Sequence, residues 1–210
     1  MQPYYQDELV TLFYGDCREI LPSLSADVLV CDPPYGVGMD SFLDDFTTGL
    51  AGVDAAPGIR AAIFHSPRLV MRFSSALKTW QSERLLWMHK VADIAAPWRG
   101  WSMNSEAILI ASRERKGWPD PETYRSDVYT VGPWERSGHP CAKPMVVVTD
   151  LVCRLANQSD VVIDPFCGSG TTLRAAKDQG IKSIGIEVDE AYCELAARRM
   201  SQGTLAEMFQ

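Results

Sequence analysis

The stretch Val161-Val162-Ile163-Asp164-Pro165-Phe166-Cys167-Gly168-Ser169-Gly170-Thr171-Thr172 decides the fold. Asp160 to Asp164, built on Val161, Val162 and Ile163, reads as a short buried strand. Glycines at 168 and 170 make a turn, and a helix follows from about Thr171 to Gln179, with Gly180 where a helix stop belongs. A second strand, Lys182 to Glu187, leads into a last helix capped by Asp189, with Tyr192, Leu195 and Ala196 on one face. Strand, turn, helix, strand and helix in succession is an α/β pattern.

Two strands are only part of a sheet, so the next must come from elsewhere in the chain. The N-terminal segment supplies Leu9 to Tyr14 as a strand, Cys17 to Leu24 as a short helix and Asp27 to Cys31 as a further buried strand, which predicts a circularly permuted strand order. The middle supplies a strand over Ala61 to His65 and a helix over Leu69 to Trp80. Two more strands, Arg84 to Lys90 and Glu106 to Arg113, are expected to pair antiparallel at the sheet edge. The expectation is one domain over 1–210 with a mostly parallel, seven-stranded sheet and an antiparallel edge hairpin. Residues 40–58, rich in Asp, Gly and Thr, read as a mobile loop or irregular helix, and 113–138 as an insert.

The chain has 210 residues, 46% of them apolar and 22% charged, enough to bury a core. No apolar run approaches the roughly 20 residues of a membrane span. The polar N-terminus lacks the layout of a secretory signal, so the cytoplasm is the expected compartment. Six cysteines stand without metal-ligand spacing, and neither they nor the three histidines predict a metal site. A net charge of −7 argues against coating a polyanion by bulk electrostatics and leaves room for a local basic patch.

Two motifs carry chemistry. Asp32-Pro33-Pro34-Tyr35 directly follows a buried strand. Two prolines hold the backbone extended and carry no N–H, so the carbonyls and the Asp32 carboxylate present acceptors without a competing donor, suited to an amino group. An ordinary polyproline turn is the alternative. In the second motif, Gly168 and Gly170 admit close backbone approach, and the helix start behind them favours an anionic group such as an amino-acid carboxylate. The dinucleotide glycine spacing and the phosphate-loop lysine are both missing, which points to a nucleoside bearing an amino acid. Glu187 ends the next strand, where a carboxylate accepts from ribose hydroxyls, or else is a solvated residue at the helix start.

These residues resemble the beta group of amino-methylating DNA methyltransferases, in which the catalytic tetrapeptide precedes the cofactor loop. The likeness runs through Gly15-Asp16-Cys17, Asp32 to Tyr35, Leu86 to Lys90, Glu106 to Arg113, His139-Pro140-Cys141-Ala142-Lys143-Pro144, Asp164 to Thr172 and Gly185-Ile186-Glu187. It departs from the family at Cys141-Ala142, where bulkier polar residues are usual.

The resemblance implies a Rossmann-like fold dependent on S-adenosylmethionine. In it, Asp32 and the Pro33 carbonyl accept from the target amino group, Pro34 completes the turn, and Tyr35 stacks on the base. The cofactor methionine lies along Phe166, Cys167, Gly168, Ser169 and Gly170, with Thr171 opening the helix. Glu187 holds the ribose, Asp16 meets the cofactor adenine edge, and Lys143 stands beside the cofactor or at the surface. Aspartate rather than serine at position 32 tilts the substrate towards adenine. A cytosine-amino enzyme and a catalytically silent partner subunit are the alternatives. Double-stranded DNA is the expected partner, a homodimer the assembly considered, and Arg113, Arg115, Lys116, Arg125 and Arg136 of the insert the expected DNA-facing patch.

Overall fold

The structure is a computed structural model that describes residues 2–34, 42–91, 95–98, 101–114, 118–119, 126–132 and 143–203. Its elements are β1 (Tyr5–Gln6), β2 (Val10–Tyr14), α1 (Cys17–Ile20) with a 3-10 turn at Leu21–Ser23, β3 (Val28–Cys31), α2 (Phe42–Ala55), β4 (Arg60–His65), α3 (Val70–Ala76) and β5 (Gln81–Lys90). They continue with β6 (Ala95–Trp98), β7 (Trp101–Met103), β8 (Ser105–Ser112), β9 (Val128–Val131), α4 (Met145–Leu155), β10 (Val161–Asp164), α5 (Thr171–Asp178), β11 (Lys182–Glu187) and α6 (Glu190–Met200).

One sheet runs β1-β2-β11-β10-β3-β4-β8-β5-β9, and β6 and β7 form a separate antiparallel pair. Strands β2, β11, β10, β3 and β4 are mutually parallel. Their interiors are apolar because helices cover both faces. Side chains alternate across the sheet. Leu29, Cys31, Ile63 and Ile163 enter the core under α2 and α3, whereas Val28, Val30, Ala62, Phe64 and Val162 enter the core with α4 and α5.

Parallel strands end on the same side, so this register sets the site. Tyr14 pairs with Glu187 and Asp164 with Gly185, and Asp32 follows β3 directly. Gly15-Asp16, Asp32, Asp164 and Glu187 therefore gather at the carboxyl edge of the sheet, where open α/β sheets bind ligands.

Several expectations are corrected. The main sheet has nine strands rather than seven. The antiparallel pair does not form the edge: β8 lies inside, antiparallel to both β4 and β5, and β9 from the insert closes the edge parallel to β5. Residues 42–55 form the regular helix α2, because Phe46, Leu50 and Val53 give it an apolar face against the sheet. The helix expected to reach Trp80 stops at Ala76. Asp54 takes up the amides of Lys78 and Thr79, and the Trp80 indole donates to the Val53 carbonyl at 2.8 Å. Pro144 occupies the N-cap position of α4. Among the described residues no helix is long and apolar enough to cross a membrane.

Candidate active site

A cavity of about 420 Å³ opens at this edge, within the roughly 300–1,000 Å³ of small-molecule sites. Gly15, Asp16, Asp32, Pro34 and Lys143 line it from the N-terminal and α4 sides, and Asp164, Phe166 to Ser169, Thr171 and Glu187 from the C-terminal unit. Among the described residues, four carboxyl groups, at 16, 32, 164 and 187, face two cations, Arg18 and Lys143. That balance suits a ligand carrying positive charge.

The glycine loop is held open by its backbone. Gly168 and Gly170 adopt φ of 51° and 78°, which favour glycine, and a Cβ on Gly170 would stand 3.1 Å from Ala196 Cβ. Glu187 grips this loop from the next strand. Its Oε2 accepts from the Gly168 amide at 2.8 Å, and its Oε1 accepts from the amides of Val188 and Asp189 at 3.0 and 2.9 Å. The two amides fill Oε1, and Oε2 keeps one spare lone pair for a ligand hydroxyl. Asp164 lies buried behind the loop, its Oδ1 accepting from the Phe166 amide at 3.0 Å. Burial, opposed by hydrogen bonds from Thr172 and that amide, pushes its carboxyl up to about 7.

Asp16 caps α1 by accepting from the Arg18 amide at 2.9 Å and pairs with the Arg18 guanidinium, which holds its carboxyl below the usual range despite partial burial. Asp32 is ion-paired through Oδ2 to Lys143 at 2.6 Å. Its other oxygen, Oδ1, is shut off from solvent and has no hydrogen-bond partner among the described residues. Burial pushes the Asp32 carboxyl up, and Lys143 pulls it back only in part. Pro33 is buried under α2. Gly49 of that helix packs so closely that a Cβ there would stand 2.5 Å from the Pro34 carbonyl oxygen. A Cβ on Gly52 would lie 2.5 Å from the Phe166 ring. Helix α2 thus braces both motifs.

Of the expected site residues, 16, 32, 34, 143, 166–169, 171 and 187 line the cavity, whereas Pro33 and Gly170 are adjacent in the chain but not part of its lining. Cys167 belongs to the core formed with Leu12, Leu173 and Cys193, so its contribution to the cavity wall is chiefly backbone. Lys143, expected beside the cofactor or at the surface, is the buried partner of Asp32. Arg113 is withdrawn from the DNA-facing patch. Its guanidinium donates to the carbonyls of Asp54, Ala56 and Gly58 and to Thr79 Oγ1 at 2.8–3.0 Å, and lies 4.1 Å over the Trp80 ring. A guanidinium so engaged has little left for a phosphate. Tyr35, Arg115, Lys116, Arg125, Arg136 and the segment 139–142 lie outside the described residues.

Sequence reasoning missed Arg199 of α6, whose guanidinium donates to Thr171 Oγ1 at 3.2 Å and so ties the last helix to the glycine loop. It also missed Arg18, although an arginine two residues after a capping aspartate is a readable signal. Arg199 offers none, because only the fold brings it to the loop.

An α/β sheet with a nucleoside-sized cavity at its carboxyl edge, a glycine loop and an acidic residue on the next strand is the arrangement of Rossmann-like enzymes that bind nucleoside cofactors, S-adenosylmethionine-dependent methyltransferases among them. The family is that of the DNA methylases: their profile matches residues 78–198, more than half of the chain, and the chain belongs to it. It is 26% identical to the DNA adenine methyltransferase YhdJ of Escherichia coli, over 93% of this chain and 84% of that protein. It is 24% identical to the type II methyltransferase M.ScaI of Streptomyces caespitosus, over 95% and 84%. In fold it superposes on the M1.HpyAVI–SAM complex with a TM-score of 0.75 at 22% identity, covering 92% of this chain and all of the other. It superposes on the cytosine-N4-specific PvuII DNA methyltransferase with a TM-score of 0.79 at 16% identity, covering 99% and 92%. The chain is accordingly an amino-methyltransferase of DNA, acting at adenine N6 or cytosine N4.

Proposed function

We propose that the chain methylates the exocyclic amino group of adenine in double-stranded DNA, with residues 1–210 forming one methyltransferase domain of circularly permuted strand order. The observation that carries the reading is Asp32, which lines the cavity that holds the glycine loop and whose enclosed Oδ1 has no hydrogen-bond partner among the described residues. The Asp-Pro-Pro-Tyr form of the motif and the likeness to YhdJ favour adenine over cytosine.

Bound along Phe166 to Gly170, S-adenosylmethionine supplies an electrophilic methyl group on a sulfonium. The rest falls to the chain. The lone pair of an aromatic amine is delocalised into its ring, so the amine is a weak nucleophile. Asp32 Oδ1 and the Pro33 carbonyl accept hydrogen bonds from its two N–H groups, draw them out of the ring plane and localise the lone pair on the nitrogen, and the extra proton of the methylated nitrogen then leaves to solvent. The base must first leave the duplex stack, at a cost of a few kcal/mol, and stacking on Tyr35 recovers part of it. Glu187 receives ribose hydroxyls, Asp16 the cofactor adenine edge, and Arg115, Lys116, Arg125 and Arg136 the phosphates.

Incubation of the protein with labelled cofactor and duplex DNA, followed by nucleoside identification, tests this reading. N6-methyladenine is expected, and N4-methylcytosine would transfer the reading to the cytosine enzymes. Asp32→Ala should lose methyl transfer while binding the cofactor nearly as tightly as the parent, since its acceptor acts in the transition state. A parent chain that binds cofactor and DNA without turnover would indicate a silent partner subunit.

A further inference from the structure

Behind Asp32 stands a chain of alternating charges drawn from three elements. Lys143, immediately before α4, lies 2.6 Å from Asp32 Oδ2 and 3.1 Å from Glu106 Oε2. Glu106 of β8 pairs through its other oxygen with Lys90 of β5. All three supporting side chains are largely enclosed, with 9%, 15% and 18% of their surface exposed for Lys143, Glu106 and Lys90. The Lys143 ammonium also lies 5.6 Å from the centre of the buried Phe64 ring. Strand pairing makes the arrangement: Met88 is opposite Glu106 and His89 opposite Ser105 in the antiparallel ladder, which brings Lys90 beside Glu106.

We infer that Lys143, Glu106 and Lys90 are positioning residues that set the charge and orientation of Asp32, with Glu106 restraining Lys143 so that the catalytic carboxylate stays ionised yet keeps one oxygen open as an acceptor. The inference rests on the reading of Asp32 as the acceptor for the target amine. A lone buried carboxylate takes up a proton and becomes a donor, which is the wrong polarity for drawing out an N–H. A carboxylate given a full, unshared cation is a weaker acceptor. Lys143 shared between two carboxylates, with Lys90 offsetting the second, lies between these limits. Among the described residues, the charged and titratable groups facing Asp32 are these three, Asp164 at the end of β10 and the Cys31 thiol of β3. Burial dominates and raises Asp32, Lys143 and Lys90 lower it, and Glu106 raises it. Removal of different members should therefore move its titration in opposite directions.

Single-turnover methylation of a duplex oligonucleotide, followed from about pH 5.5 to about pH 9, reads that titration as the acidic limb of the rate. Lys143→Met should move the limb up by about one pH unit or more. Glu106→Gln should move it down, Lys90→Met should move it up by less, and Lys143→Arg should restore the parent limb. A purely packing role would lower the rate without these signed shifts. Limbs that coincide with the parent's in Lys143→Met and Glu106→Gln, or that move in the same direction, would overturn the inference. If Lys143→Met does not fold, Glu106→Gln and Lys90→Met carry the sign test. Asp32→Ala serves as the separate control: if it methylates normally, the acceptor role itself falls, whereas an inactive Asp32→Ala beside unshifted limbs removes only the relay.

Discussion

Oε2 of Glu187 accepts the Gly168 amide at 2.8 Å, so the carboxylate ending β11 fixes the backbone of the loop that follows β10. One side chain thereby shapes the loop and stands ready for the ribose. Glu187→Ala should weaken cofactor binding by on the order of 1–3 kcal/mol in calorimetry. Unchanged affinity would remove the residue from the site.

Gly52→Ala separates stability from binding. Alanine in a helix interior gains about 1 kcal/mol over glycine, whereas a Cβ placed 2.5 Å from the Phe166 ring must displace that ring at a cost of about 1–3 kcal/mol. The net effect on stability lies between none and a loss of about 2 kcal/mol in denaturation measurements. Cofactor affinity should fall severalfold, because the displaced ring belongs to the cavity wall, and equal affinity would show that α2 does not set the ring.

Arg113→Ala should destabilise the fold by about 2 kcal/mol or more, since it leaves three carbonyls without their charged donor. The salt dependence of DNA binding should remain that of the parent. Neutralising Arg115, Lys116, Arg125 and Arg136 together should flatten that dependence. The opposite pattern in binding titrations at several salt concentrations would return Arg113 to the DNA-facing patch.

Burial against Phe46 and Phe73 pushes the His65 imidazole down to about 4 from an ordinary 6.5. The unfolded chain binds this proton first, so stability should fall as pH drops from 6.5 towards 4, by on the order of 3 kcal/mol in all. Asp164 acts in the opposite sense. Its raised carboxyl stabilises most below 3.8, and the contribution declines as pH rises to about 7. The difference in denaturation midpoint between the parent and His65→Phe across that window isolates the histidine. A difference independent of pH would mean that His65 titrates normally.

The amino-acid sequence by itself determined the strand, glycine loop and helix from Val161 to Asp178, the Asp189 cap, and the position of Asp32-Pro33-Pro34 after a buried strand. These features depend on neighbours a few residues away: apolar runs, positive-φ glycines and side chains that cap their own helix. The resemblance then assembled those motifs into one site. The regularity of helix α2 escapes a sequence reading of 40–58 as a loop or irregular helix, because its Asp, Gly and Thr content resembles a loop while its apolar face gains stability only once packed on the sheet. Only the tertiary structure decided that β8 lies inside the sheet and β9 at its edge, that Arg113 clamps the end of α2, that Arg199 reaches Thr171, and that Lys143 is shared between Asp32 and Glu106. Each joins residues far apart in the chain. Such contacts are set by strand register and by which faces the crossovers bury, and a short window of sequence encodes neither.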